Sequence, residues 1–361
     1  MVSNLTAVVI GCGRMGAGPS SRLQGQVPEG WLPYSHTESL LAASGVDLVG
    51  LCDSRKDAID GLEAVYPQCQ FFSDYKEAID QLKPDIITVA TRTPSKFEIL
   101  DYAMKHAVRG IYVEKPLANS LEQVVYLTGL ARSTGTELYY GVNRRFHETY
   151  VKARDLLSEG CIGQLRTIVV EHGLSQIFWS HPHSTDLVTF LSGCSEVSSI
   201  QASCSEDSVV MAESSGLKVD SDPVLESAYI LMDSGVRAYI VASAGLSVRL
   251  GGDLGSMVVL ADGAMIQVNK SKPGASTNYF PDMQIVELTP KKSATVNAFE
   301  SLVSQVNGSL KPPGITLKEM EAGSRMLFGC VWSHLQGGLR VDPNAIPTDL
   351  IITGRTGELY A

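Results

Sequence analysis

Positive charge is scarce in this chain of 361 residues and nowhere concentrated: 29 Lys and Arg stand against 39 Asp and Glu, for a net charge of −10. Partners rich in phosphate need a positive surface, so the reading is of no nucleic-acid partner. Also missing is any apolar run of 18 residues, so no helix is expected to cross a membrane. The first residues lack the basic start of a secretory signal. Seven cysteines contain no C-x-x-C pair, a poor basis for a disulfide framework or structural zinc. These absences together predict a cytoplasmic chain with reduced thiols, in which the sequons at Asn4, Asn269 and Asn307 arise by chance.

What the chain does have is apolar residue, 44% of the total, and 33 glycines. Its most informative stretch runs from Thr6 to Gly16, where a short apolar strand leads directly into Gly11, Gly13 and Gly16 in the spacing G-x-G-x-x-G. That arrangement suits a dinucleotide: a tight turn at Gly11, close backbone approach to a pyrophosphate at Gly13, and close packing on the sheet at Gly16. A carboxylate for the adenosine ribose is expected at the end of the second strand, and Asp53 closes the run from Val46. It lies 37 positions beyond Gly16, where about 20 is usual. The excess is the Gly/Pro-rich segment 17–33, which cannot be a continuous helix; a helix can resume near Ser35. Apolar runs at 86–90, 111–113 and 138–142 read as buried parallel strands between helical patterns at 75–82, 95–107 and 120–134. This alternation predicts a Rossmann domain over residues 1–145 with its crevice at the carboxyl ends of the strands. Loops 91–94 and 114–116 would share that crevice.

From 146 to 361 the pattern changes to α+β. Helices are expected at 148–159, 185–191, 294–307 and 317–335. Strands are expected at 165–173, 196–204, 225–232, 237–243, 256–260, 264–268 and 283–288, forming a largely antiparallel sheet with helices on one face. The C-terminal helices could pack back on the first domain. Residues 206–223, rich in Ser and Asp, read as a surface excursion. Apolar residues on both faces of the sheet, Tyr229, Ile230, Leu231 and Tyr239, favour a homodimer or homotetramer formed through it.

Five elements in order carry a family resemblance: Gly11 to Gly16, Cys52-Asp53, Glu114-Lys115-Pro116, Gly141 to Phe146, and His183-Ser184-Thr185-Asp186. The chain resembles the Gfo/Idh/MocA oxidoreductases, the family of glucose–fructose oxidoreductase and inositol dehydrogenase. The resemblance implies NAD held by Gly11, Gly13, Arg14, Met15, Gly16, Asp53, Ser54, Arg55, Thr91, Thr93, Pro94, Glu114, Lys115 and Asn143. It makes Lys115 and His183 the catalytic pair. An ammonium at Lys115 would stabilise alkoxide character during hydride transfer, and a neutral His183 would take the hydroxyl proton. Asp186 would orient the site or touch a substrate hydroxyl, with helix capping as its other reading. Relatives commonly carry an aspartate four residues before the histidine; here Trp179 stands in that place, and Gln176 or His181 could partly substitute. Lys96 and Phe97 occupy the neighbourhood where a histidine often follows the Thr-Pro turn. Arg22, Trp31, Arg145, Trp179, His181 and Asp186 are the expected substrate contacts. His181 and His183, two residues apart, lack a convincing third ligand, so no metal is expected.

The implied activity is NAD-dependent interconversion of a secondary alcohol and a ketone on a sugar, cyclitol or nucleotide sugar. NADP is open, because Arg55 or Lys56 could offset the charge of Asp53. Two rivals stand beside it: oxidation followed by elimination, as in a glycosidase, and a sensor that keeps only the nucleotide pocket. Segment 17–33 would fold over the crevice as a lid, with packing at a subunit contact as the alternative.

Overall fold

Short runs of fully buried Val, Ile and Leu can be satisfied only by a sheet covered on both faces, and the first third of the chain builds one. The computed structural model describes residues 4–212, 217–271, 282–309 and 314–354. Strand β1 (Leu5–Ile10) is followed by helix α1 (His36–Ala42), β2 (Val46–Cys52), α2 (Leu62–Val65), β3 (Gln70–Phe72) and α3 (Tyr75–Leu82). Then come β4 (Ile86–Val89), α4 (Thr93–Lys105), β5 (Gly110–Val113), α5 (Leu121–Thr134) and β6 (Glu137–Tyr140). The strands are parallel in the order β3-β2-β1-β4-β5-β6. Between β1 and β4 the order reverses, and ligands of such sheets bind outside that switch point. The expected Rossmann sheet is therefore present, with β3 added, a strand too short to register as a periodic run.

The chain continues through α6 (Glu148–Ser158), β7 (Leu165–His172), β8 (Ser175–Gln176), α7 (Ile177–Ser180), α8 (Pro182–Ser192) and β9 (Val197–Cys204). After β10 (Lys218–Val219) it forms β11 (Val224–Met232), β12 (Arg237–Ala242), β13 (Ser247–Gly252), β14 (Gly255–Leu260), β15 (Met265–Lys270) and β16 (Asp282–Val286). Helices α9 (Ala294–Val306) and α10 (Leu317–Leu335) and strand β17 (Ile351–Ile352) follow. The large sheet runs β16-β15-β14-β13-β7-β12-β11-β8, with β9 also on β11; its pairs are antiparallel except β7 with β12. Strand β13 escapes the sequence pattern because Gly251 and Gly252 end it. Residues 213–216 of the expected excursion lie outside the described residues; its start is a 3-10 turn and its later part includes β10, paired with β17.

Two hydrophobic cores result. One fills the parallel sheet and takes in Ala298, Phe299 and Leu302 of α9, so the chain returns to its first core near its end. The other lies between the large sheet and helices α8 and α10. Alternation along the strands sends Val170, Ile230, Ile240 and Val248 into this core, while Tyr229 and Tyr239 face the other way, paired across the strands with ring centroids 5.3 Å apart.

Candidate functional site

A crevice of about 920 Å³ opens at the carboxyl ends of the parallel strands, where both cores meet. Its floor is the glycine loop. Gly11 has φ of +94°, and a Cβ there would stand 2.8 Å from the Ala90 carbonyl carbon and the Thr91 nitrogen. A Cβ on Gly16 would lie 1.7 Å from the Gly11 oxygen. The backbone is thus packed more closely than any side chain permits, leaving a cradle only glycine can make. Asp53, at the end of β2, accepts the Cys12 N–H on Oδ2 (2.8 Å) and the Arg55 N–H on Oδ1 (2.9 Å), which fixes its carboxylate at the crevice wall.

Glu114 and Lys115 leave β5 toward the crevice. Burial pushes the Glu114 carboxyl up, but the hydrogen bond to His36 (3.3 Å) and the nearby ammonium groups of Lys115 and Lys96 outweigh it and hold the group below its usual range. Burial pushes the Lys115 ammonium down to about 8, against the attraction of Glu114. Lys115 donates to the Trp179 carbonyl oxygen (2.6 Å), with its nitrogen 4.1 Å from the centre of the Trp179 ring. Trp179 is set there by Asp222, which accepts the N–H groups of Phe178 (2.8 Å) and Trp179 (2.9 Å). Trp179 thus offers the Lys115 amine both a backbone carbonyl and an aromatic face.

His183 also lines the crevice, on the first turn of α8, which starts at Pro182 rather than at Thr185. Burial, then the charges of Arg144 and Lys115, hold its imidazole well below the usual range, so it is neutral at physiological pH. Its Nδ1 is buried without a hydrogen-bond partner.

Segment 17–33 borders the crevice through Arg22, Leu23, Gln26, Val27 and Trp31. Arg22 donates to the Arg14 carbonyl (2.9 Å), tying the segment to the glycine loop. Trp31 donates through Nε1 to the Asp262 carbonyl (3.1 Å) and stacks on His147 at 5.0 Å, tying it to the large sheet. Asp262 sits at a turn where it and Ala261 have left-handed φ of 53° and 46°, and its carboxylate pairs with both Arg144 Nε (2.8 Å) and Nη2 (2.7 Å).

Of the residues expected from sequence, Gly11, Gly13, Arg14, Met15, Asp53, Ser54, Arg55, Thr91, Glu114, Lys115, Arg22, Trp31, Trp179 and His183 line this crevice. Others do not. Gly16 packs beneath the loop, and Thr93 and Pro94 enter the first turn of α4 while Arg92 and Ser95 face the opening. Asn143 is buried, accepting from the Tyr112 hydroxyl and donating to Thr295 Oγ1 (3.0 Å), so its amide is already used. Arg145 and Asp186 do not line the crevice and pair with each other instead. The Arg145 guanidinium donates to Asp186 (2.9 Å), to Glu319 (3.1 Å) and to the Gly314 carbonyl (2.9 Å), a buried charge fully engaged away from the crevice. His181 lies under the crevice wall, its Nδ1 3.1 Å from Ser184 Oγ.

Sequence reasoning missed the supports. Lys96 is 1% exposed and donates to the carbonyls of Glu114 (2.6 Å) and Pro116 (2.8 Å), straddling Lys115. Burial pushes it down to about 7. Tyr34, His172 and Asp262 also line the crevice and His36 supports it, and no local motif marks these four; Arg144 lines it too, from within the Gly141 to Phe146 element. The departure at Lys96 was visible; its role was not.

Residues 5–142 match a family model described as "Oxidoreductase family, NAD-binding Rossmann fold". Over that span, less than half of the chain, it is similar to the Gfo/Idh/MocA family. A curated relative, D-glucoside 3-dehydrogenase of Escherichia coli, is 26% identical over 132 residues, 36% of this chain and 37% of that enzyme. The chain matches between 29% and 38% of the length of such curated relatives. The fold extends the likeness through the second half. An Agrobacterium radiobacter oxidoreductase solved in complex with NAD+, L-tartaric acid and magnesium superposes with a TM-score of 0.73 at 15% identity, over 96% of this chain and 100% of that one. The transcriptional regulator Gal80p of Kluyveromyces lactis shares the fold too, with a TM-score of 0.70 at 15% identity over 95% and 92%. The fold is therefore one shared by an oxidoreductase and by a regulator. Among the described residues, no helix is long and apolar enough to cross a membrane.

Proposed function

We propose that this protein is an NAD-dependent dehydrogenase acting on a secondary alcohol of a sugar or cyclitol, with residues 1–145 holding the cofactor and 146–361 supplying the substrate side. The observation that carries the reading is Lys115: a buried amine at the mouth of the crevice, beside the glycine cradle, with neutral His183 on the facing wall. The glycine loop and Asp53 would hold the dinucleotide, whose nicotinamide, when bound, accepts hydride from the carbon bearing the alcohol. Lys115 stabilises the oxygen as it gains negative charge, and His183 takes its proton. Retention of both groups supports an enzyme rather than a regulator that has kept only the pocket. The D-glucoside 3-dehydrogenase relative supports the sugar class.

A screen of sugars, cyclitols and nucleotide sugars for NADH production tests this reading. Net NADH formation is the expected result; bound NAD without turnover on any of them would favour the regulator. Product release with no net NADH would favour oxidation coupled to elimination. The cofactor preference rests on the Asp53 carboxylate, which would repel a 2′-phosphate while Arg55 stands 3.9 Å away. Asp53→Ser should raise kcat/KM with NADP relative to NAD. An unmodified protein that already prefers NADP would show the assignment to be wrong. Association through the Tyr229 and Tyr239 face of the large sheet completes the proposal.

A further inference from the structure

Three imidazoles crowd one wall of the crevice, and two of them are joined by a chain of hydrogen bonds whose direction can be deduced. His172, the last residue of β7, lines the crevice and has Nδ1 3.1 Å from Ser184 Oγ. The same hydroxyl lies 3.1 Å from His181 Nδ1, and His181 Nε2 lies 3.4 Å from Ser175 Oγ. Ser175 Oγ donates its only hydrogen to the Gly173 carbonyl (2.9 Å). We propose that this chain locks His172 as its Nδ1–H tautomer and so presents Nε2 to the crevice as an acceptor for a substrate hydroxyl.

The direction is set at the far end. A carbonyl oxygen can only accept, so the Ser175 hydroxyl hydrogen is committed to Gly173 and its oxygen can only accept from His181. His181 is therefore protonated on Nε2, and its Nδ1 is an acceptor. Ser184, fully buried, must then donate to His181 and has only a lone pair left for His172, whose Nδ1 must carry hydrogen. Nε2 is then the only polar atom His172 can offer the crevice, and it is a bare lone pair. The opposite tautomer would need the Ser175 hydroxyl to turn from the Gly173 carbonyl to His181 Nε2, giving up a 2.9 Å bond for one of 3.4 Å. An imidazolium is disfavoured by burial and by the facing charges of Arg144 and Lys115, with Asp262 opposing them, and His172 is pushed down to about 4. His183 has no such orienting partner on Nδ1. His172 is thus a positioning and selecting group: it welcomes a hydroxyl and rejects an oxygen that can only accept, such as a carboxylate. The choice of hydroxyl rests on the polyol reading above; the tautomer does not.

The test is long-range proton–nitrogen NMR on NAD+-loaded protein labelled with 15N-histidine. The expected spectrum has His172 protonated on Nδ1 and His181 on Nε2, opposite tautomers, and Ser184→Ala should leave His172 as a tautomer mixture. A wild-type His172 protonated on Nε2, or on both nitrogens near neutral pH, overturns the proposal without need of a variant. Titration with myo-inositol, D-glucose and methyl β-D-glucoside should shift the His172 Nε2 resonance as it accepts a hydrogen bond. A polyol that moves His183 but not His172 overturns the acceptor role alone. Polyols that move neither would overturn the sugar reading and the hydroxyl partner with it, while the tautomer pair stands or falls on the first spectrum.

Discussion

Lys115 is held by what surrounds its backbone as much as by its own amine. Two bonds from Lys96 to the carbonyls on either side fix the turn, and the Trp179 carbonyl fixes the side chain. Lys115→Ala should keep dinucleotide affinity, since the glycine loop supplies those contacts, and lose about 10²-fold or more in kcat. Turnover within about a factor of two of wild type would remove Lys115 from the mechanism. Lys96→Met should lower kcat with little change in NAD affinity, because it loosens the frame and touches no ligand. The pH dependence follows from sign. A lysine with its pKa pushed down to about 8 loses its ammonium as pH rises through that value, whereas His183, pushed well below its usual range, stays neutral throughout. The rate of alcohol oxidation should therefore fall on an alkaline limb near pH 8, and Lys115→Arg, which cannot deprotonate, should flatten that limb whatever activity remains. A limb unchanged in Lys115→Arg would assign it to another group.

At the scale of elements, segment 17–33 is the main departure from a plain Rossmann domain. Its Gly and Pro content announced that it was no helix, and Trp31 that it was no purely solvated loop. Neither could say that Trp31 would reach Asp262, 231 positions away in the chain, since that contact depends on a left-handed turn in the other half. Arg145 and Asp186 show the same limit: residue type and motif position suggested a substrate contact, but only the fold reveals that each already has the other. Glycine spacing, strand order and the Glu-Lys-Pro turn were legible because they depend on local geometry. Replacing residues 18–32 by a short glycine bridge should raise the KM for the polyol markedly while circular dichroism and oligomer size persist. Unchanged kinetics would exclude a lid, and dissociation would assign the segment to assembly.

For the whole molecule, the large sheet has one face filled by α8 and α10 and another carrying Tyr229 and Tyr239, with the Arg340 guanidinium 4.9 Å from the Tyr229 ring. If copies associate there, Tyr239→Glu should shift the protein to monomer in analytical ultracentrifugation, because a carboxylate would be desolvated without a partner. An unaltered sedimentation coefficient would place the interface elsewhere. Arg145 joins the halves of the second core: Glu319 receives it on one oxygen while the other accepts the Thr316 N–H and hydroxyl (both 2.8 Å) in a capping box at the start of α10. Arg145→Met should cost about 3–5 kcal/mol in urea unfolding, leaving the buried Asp186 carboxylate unmatched.

That shared guanidinium also constrains how the protein can change over time. Asp186 sits on the helix whose first turn carries His183, and Glu319 lies in the first turn of the helix that closes the second core. A lineage that alters Arg145 alone passes through a form in which the buried Asp186 carboxylate has lost its partner, so accepted changes at these two positions must come together. Among descendants of this chain Arg145 and Asp186 should covary, both ionic or both apolar, even while the crevice above them is free to adopt new substrates.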